Sequence, residues 1–431
     1  MKVKFCQESI FTSLSPNTEK DDIILALKLI FQPWKWKKVE SVLILEKKFQ
    51  EYLNIKYTFA FNSGRTAFLA ILKCLNLEPG SDVLIQGFTC NAVVNPILAA
   101  GLKPVFIDID ENTLNINPID LERKISSKSK IVIVQHTFGL PAEMNKISEI
   151  CQRHNLILIE DCAHSLGALH ANGVQGKLGT FGKASFFSFG RDKVISSVSG
   201  GMAVTNDEEL GQKLKEYQQS LNYPSNLWIF RELLHPILTN FFVMPLYGFY
   251  GLGKWALIFL LRTGILSKSA TDREKKGIMS LKCCKRMPEP LTTLALNQFK
   301  KLERFIDHQR QIAKLYDENL TEFGLALPPQ TNGRIYLRYP LLLKNADTDK
   351  ILDKARKEKI FLDDGWRKAV IVPPDTNQEK MGYRAGDCPI AEKVAKNILN
   401  LPTHINISEQ KAQRIIKFLK IKLTEGGPLY G

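Results

Sequence analysis

Asp161 and Lys193 each follow a short apolar run, and a carboxylate and an amine delivered that way can share one crevice. The first run, residues 156–159, leads into Glu160-Asp161; the second, residues 184–189, leads through Gly190-Arg191-Asp192 to Lys193. In open α/β sheets, ligands gather at the carboxyl ends of the strands. Pyridoxal 5'-phosphate needs this pair of residue types. A lysine holds its aldehyde as a Schiff base, and an acid keeps its pyridine nitrogen protonated so that the ring accepts electrons. Taken alone, an Asp that closes a strand more often caps the following helix. The order Asp161, Ser188, Lys193, Gly200-Gly201 is what makes the pattern specific.

The elements that must position these residues are legible from periodicity. From Tyr57 onward, strand-length apolar runs alternate with helical spacing, which predicts an α/β chain with a largely parallel sheet flanked by helices. Residues 58–61 read as a strand entering Asn62-Ser63-Gly64-Arg65-Thr66, and residues 67–75 as the helix that follows. That junction suits a phosphate: N–H groups are exposed at the helix start, and Gly64 lets the backbone come close. An ordinary capped helix explains the same residues. Residues 82–85 read as a further strand, 93–100 as a helix, and 21–29 and 42–52 as helices ahead of the sheet. Between them, Trp34, Lys35, Trp36, Lys37 and Lys38 form a basic aromatic knot. Towards the C-terminus, residues 294–314 predict one long helix, 336–342 a strand and 348–357 a helix.

Asp161-Cys162-Ala163-His164-Ser165-Leu166-Gly167, followed by Ser188-Phe189-Gly190-Arg191-Asp192-Lys193 and Gly200-Gly201, resembles the DegT/DnrJ/EryC1/StrS family of sugar aminotransferases. Cys388-Pro389 with Ala391-Glu392, and then Leu401-Pro402, resemble that family's closing segment. The likeness covers most of residues 40–220 and 285–420. It implies the PLP-dependent transferase fold type I, aspartate aminotransferase-like, with a large mostly parallel sheet domain and a smaller α+β C-terminal domain. The expected division is an N-terminal segment 1–49, a large cofactor-binding domain 50–270, and a small domain 271–431.

The resemblance further implies roles. Lys193 and Asp161 are expected to be catalytic, with Gly64, Arg65, Thr66, His164 and Ser188 joining them around the cofactor. Gly64, Thr66 and Ser188 face the phosphate, and His164 faces the ring or its phenolic oxygen. Arg65 stands where many members have threonine; it adds a direct charge or points away. Relatives place an aromatic ring near position 90, where this chain has Cys90, so Phe88 or His164 takes over the ring face or the stacking is weaker. The implied reaction transfers an amino group, from glutamate, to a nucleotide-linked or lipid-linked keto sugar in polysaccharide or secondary-metabolite biosynthesis, within a homodimer. There are two rivals. One is a sugar dehydratase on the same fold, disfavoured by Lys193 because relatives of that type carry histidine there. The other is a non-catalytic membrane-associated binding or regulatory protein, suggested by Cys90 and by the missing Arg-Asn-His-Gly-like loop after Leu210.

A formal charge of +15 over 431 residues implies an anionic partner. No helix-turn-helix, zinc-finger or RNP-like pattern accompanies it, so nucleic acid is not expected, and no metal site is expected either. The eight cysteines lack any CxxC spacing, and several lie in apolar runs. Together with a start that lacks a signal-peptide core, they predict a cytoplasmic protein with reduced thiols. An apolar insertion at 227–266 is the odd piece. Residues 233–253 contain no Asp, Glu, Lys or Arg, a stretch long enough to cross a bilayer. Pro236, Pro245, Gly248, Gly251 and Gly253 interrupt it, and motifs of one enzyme lie on both sides. Two readings remain: amphipathic helices on the inner membrane surface, flanked by Arg231, Lys254, Trp255 and Arg262, or a hydrophobic lid and dimer contact.

Overall fold

The chain alternates as its periodicity predicts. A computed structural model describes residues 8–170, 176–249, 251–321, 331–343 and 347–424. After β1 (Ile10–Phe11), α1 (Lys20–Ile30) and α2 (Glu40–Leu53), the alternation begins with β2 (Tyr57–Phe61), α3 (Gly64–Leu75), β3 (Asp82–Gln86), β4 (Thr89–Cys90) and α4 (Asn91–Ala99). It continues through β5 (Lys103–Ile107), α5 (Pro118–Lys124), β6 (Ser129–Gln135), α6 (Met144–Arg153), β7 (Ile157–Asp161), β8 (Ala184–Ser188), β9 (Gly201–Thr205) and α7 (Glu208–Ser220).

Seven of these strands form one sheet in the order β2-β9-β8-β7-β6-β3-β5. Its inner strands are buried along most of their length because helices cover both faces, as parallel sheets require. Only β9 runs against its neighbours β2 and β8. Register then decides what meets at the sheet's edge. Gly201 pairs with Phe61 on one side and with Ser188 on the other. On the next strand, Asp161 pairs with Phe186. The turn after β2, the end of β8 and the end of β7 therefore share one rim. Below it, Phe49 on α2 is fully buried and meets Phe187 and Phe189 at 5.7 and 5.5 Å between ring centres. Truncating such a ring costs about 3–5 kcal/mol.

The insertion folds as α8 (Asn226–Leu238), a π-turn (Thr239–Val243), α9 (Met244–Tyr247) and α10 (Leu252–Arg262). No helix among the described residues is long and apolar enough to cross a membrane. The remainder comprises α11 (Glu289–Phe299), α12 (Leu302–Leu320), β10 (Tyr339–Leu342), α13 (Thr348–Lys357), β11 (Ile360–Phe361), β12 (Ile371–Val372), α14 (Pro389–Asn397), β13 (Ile398–Leu401) and α15 (Glu409–Thr424). β10 pairs antiparallel with β13, while β12 adds to β4 and β11 to β1. The start of α14 is capped from the sheet: Asp108 accepts the N–H groups of Ile390 and Ala391, both at 2.9 Å.

Two expectations need correction. The helix expected over 294–314 is two helices broken at Lys300 and Lys301, where Lys301 turns into an acidic cluster and meets Glu19, Asp21 and Asp22 at 3.3, 2.7 and 3.1 Å. The strand expected over 336–342 starts at Tyr339, where pairing with Leu401 begins; Arg338, just before it, pairs with the carboxylates of Asp192 and Asp364.

Candidate active site

Lys193 sits on a short loop held from three sides. Its own N–H donates to the Gly190 carbonyl at 3.2 Å. The Asn17 amide donates to the Lys193 and Val194 carbonyls at 2.9 and 2.8 Å, so the N-terminal segment pins the loop. Nζ lies 3.6 Å from the Asp192 carboxylate. Burial works against the charge on Asp192, but Lys193 and Arg338 outweigh it and hold this carboxyl well below the usual range.

Asp161 ends β7 and is buried. One of its oxygens accepts the Ala163 N–H at 2.9 Å. Burial pushes its carboxyl up to about 6, although that N–H, Lys193 and His136 pull the other way. This acid is short of positive partners. Its neighbour Glu160 contrasts with it. There burial is outweighed by His136 and by N–H groups from Gly179, Phe181 and Gly182, and the carboxyl is held below its ordinary range. Glu160 thus anchors the 179–182 loop and leaves the rim to Asp161.

His164 stacks on Phe138, with ring centres 5.6 Å apart and planes 11° from parallel. Nδ1 accepts the Phe138 N–H at 3.4 Å, which places the ring proton on Nε2. Burial, together with the charges of Lys193 and Arg338, holds the imidazole well below its usual range, so it is neutral. Phe88 is fully buried against Phe138 and Trp366 and has no surface to offer a ligand. His164 is buried in the same cluster, its ring centre 4.9 Å from that of Trp366. Cys90 itself caps α4 through the Ala92 N–H, and burial raises its thiol.

The turn Asn62-Ser63-Gly64 closes against β8 and β9. A side chain at Gly64 would place its Cβ 2.9 Å from the Ser188 Cβ, and one at Gly201 would lie 2.4 Å from the Gly64 nitrogen. Ser63 Oγ caps the Thr66 N–H at 3.2 Å, while Gly64 and Arg65 at the first turn of α3 have no intrahelical acceptors for theirs. The Thr66 hydroxyl is engaged by Asn62 Oδ1 at 2.9 Å. Ser188 Oγ accepts the Gly190 N–H at 3.3 Å. Arg65 takes the second of its alternatives: its guanidinium pairs with the buried Glu274 and donates to the Ser269 carbonyl. That charge is therefore balanced within the protein.

Asp161, Ser188, Gly64 and the Lys193 loop thus lie along one rim, whereas the Arg65 guanidinium and the Thr66 hydroxyl are turned to protein partners; the structure brings other residues beside them. Arg338 is 1% exposed and bridges Asp192 and Asp364, both at 2.8 Å. Its Nη1 has no hydrogen-bond partner among the described residues. The signal for it was an arginine inside an apolar run; its partner Asp192 lies 146 positions away, beyond any local pattern. Asn17 gave no signal at all.

These residues fit pyridoxal phosphate on two observations of their own: a buried carboxylate short of cations at Asp161, and a glycine-lined approach to the unsatisfied N–H groups of α3 beside Ser188. Solved structures share the fold over nearly the whole chain. PseC of Helicobacter pylori, an aminotransferase involved in pseudoaminic acid biosynthesis, superposes with a TM-score of 0.72 at 21% identity, covering 97% of this chain and 100% of that one. A GDP-4-keto-6-deoxy-D-mannose-3-dehydratase of E coli with bound hydrated PLP gives 0.72 at 20% identity, covering 96% and 100%. In sequence, the GDP-perosamine synthase of Escherichia coli O157:H7 is 33% identical over 88% of this chain and 89% of its own length. Residues 17–224 and 256–420 match the DegT/DnrJ/EryC1/StrS aminotransferase family, and the chain belongs to it. The match breaks within the insertion.

Proposed function

We propose that the protein is a pyridoxal phosphate-dependent aminotransferase that moves an amino group from glutamate to the keto group of a nucleotide-linked sugar. The observation that carries this reading is the convergence of Lys193, Asp161, His164 and the Gly64–Ser188 contact at one rim, in a chain of this family. When bound, the cofactor supplies an electron sink next to the carbon that gains or loses nitrogen.

The protein's own residues supply the rest. Lys193 Nζ holds the cofactor's aldehyde carbon. As a free amine it would take the donor's Cα proton and pass it to the cofactor carbon that bears the nitrogen, and with the sugar it would run that transfer in reverse, giving the proton to the sugar carbon that receives nitrogen. Asp161 keeps the pyridine nitrogen protonated, and the cation in turn answers the charge deficit at this buried acid. Gly64 and Arg65 offer backbone N–H groups, and Ser188 a hydroxyl, to the phosphate. The Arg65 side chain, balanced by Glu274, adds little net charge. The His164 Nε2–H suits the phenolic oxygen. Asp192, fixed by Arg338, is a positioning residue for Nζ, and Arg338 Nη1 suits an anionic group such as a donor carboxylate.

Lys193→Ala should lower the conversion of glutamate to 2-oxoglutarate by about three orders of magnitude, the scale of losing both covalent and general-base catalysis. A variant that retained the normal rate would remove Lys193 from the reaction.

A further inference from the structure

We infer that the outer face of the insertion hairpin docks on an anionic membrane surface. This does not depend on the reaction proposed above. In α10, Gly253 is the only buried residue, although the helix reads LGKWALIFLLR. Leu252, Trp255 and Phe259 are 48, 67 and 61% exposed. Their spacing of three and four residues puts them on one stripe. On the preceding π-turn, Phe241 and Phe242 are 63 and 55% exposed. Stray exposed apolar side chains are ordinary, but an apolar helix with no buried side chain is not.

The hairpin is a fixed unit with a covered inner side. A Cβ at Gly253 would lie 2.3 Å from the Val243 carbonyl oxygen and 2.4 Å from the Tyr247 nitrogen, so α10 packs backbone against backbone on the turn before it. The Tyr247 ring meets Phe11 and Phe361 edge-on at 4.9 and 4.8 Å, and Ser15 bonds Thr239 at 3.0 Å. At the root, Glu232 and Ser267 hold Arg191, two residues before Lys193. The inner side thus belongs to the protein, and the stripe faces outward.

Charge selects the occupant. Residues 233–271 contain no Asp or Glu, whereas the exposed cations Lys254, in the first turn of α10, and Arg262, at its end, flank the apolar side chains on a chain of net charge +15. In a twofold contact between two copies, this face would confront cations with cations and offer no acid to pair them. An anionic bilayer satisfies both parts, taking the apolar and aromatic rings at the headgroup boundary and the cations at its surface.

The test is flotation of the cofactor-loaded full chain with vesicles of phosphatidylcholine alone or mixed with phosphatidylglycerol. The protein should float with the mixed vesicles at low salt, and Lys254→Gln should weaken partitioning by about fivefold, the worth of one cation near such a surface. Trp255→Glu with Phe259→Glu should stay unbound while keeping the wild-type circular dichroism, elution volume and cofactor spectrum. A wild-type chain that stays at the bottom of the gradient overturns the inference, as does a double variant that floats equally well. If the double variant instead elutes at half the wild-type mass and neither form floats, the face joins two copies and the membrane assignment is wrong.

Discussion

At the scale of single residues, Asp161 ties electrostatics to function. Its carboxyl titrates near 6 in the folded chain instead of at the ordinary 3.8. A folded-state value that is raised means the protonated acid favours the folded chain. That contribution fades as the pH climbs from about 4 to about 6, and above this window the charged group costs about 3 kcal/mol without a cationic partner. Asp161→Asn removes the cost together with the acid. Cofactor-free Asp161→Asn is therefore expected to resist urea better than wild type at neutral pH, with the gap closing towards pH 4, while holding the cofactor more weakly. A variant less stable than wild type above pH 6 would contradict the burial argument. Asp161 and Lys193 were legible in the sequence because one closes an apolar strand and the other lies on the short loop after the next. Arg338 and Asn17 were not, because their contacts join segments that only the finished fold brings together. Trp36 and Trp34 divide the basic knot between two fates: Trp36 is buried and donates to the Leu29 carbonyl at 2.8 Å, while Trp34 is 70% exposed.

Among elements, the antiparallel strand β9 sets the cradle, since Gly201 at its first position is the common neighbour of β2 and β8. Adding a methyl group there forces the α3 N-terminus away from Ser188, because the Cβ would sit 2.4 and 2.5 Å from Gly64 backbone atoms that cannot rotate aside. Gly201→Ala should thus lower stability by about 1–3 kcal/mol and weaken cofactor retention on gel filtration. Full retention would show that the cradle tolerates displacement. Strand and helix types were readable because periods of 2 and 3.6 are local. The break between α11 and α12 was not. Apolar spacing continues across it, and the cause is the pull of Glu19, Asp21 and Asp22 on Lys301. Which turns of the insertion become helix was settled by packing against α1, β1 and β11, none of which is near it in sequence.

For the whole molecule, the family match is continuous on both sides of the insertion and interrupted within it, so one enzyme carries an added surface feature. We propose that two copies associate, as the family resemblance implies; light scattering should give twice the chain mass, and a monomer at micromolar concentration would contradict this. The central claim is that Lys193 and Asp161 make this rim a working pyridoxal phosphate site. The most direct measurement is the absorbance spectrum of the purified protein with the cofactor, before and after borohydride and before and after glutamate. The account predicts a visible band that borohydride fixes onto the peptide carrying Lys193 and that glutamate replaces with the spectrum of the aminated cofactor. No band, or a band indifferent to every amino donor, would contradict it.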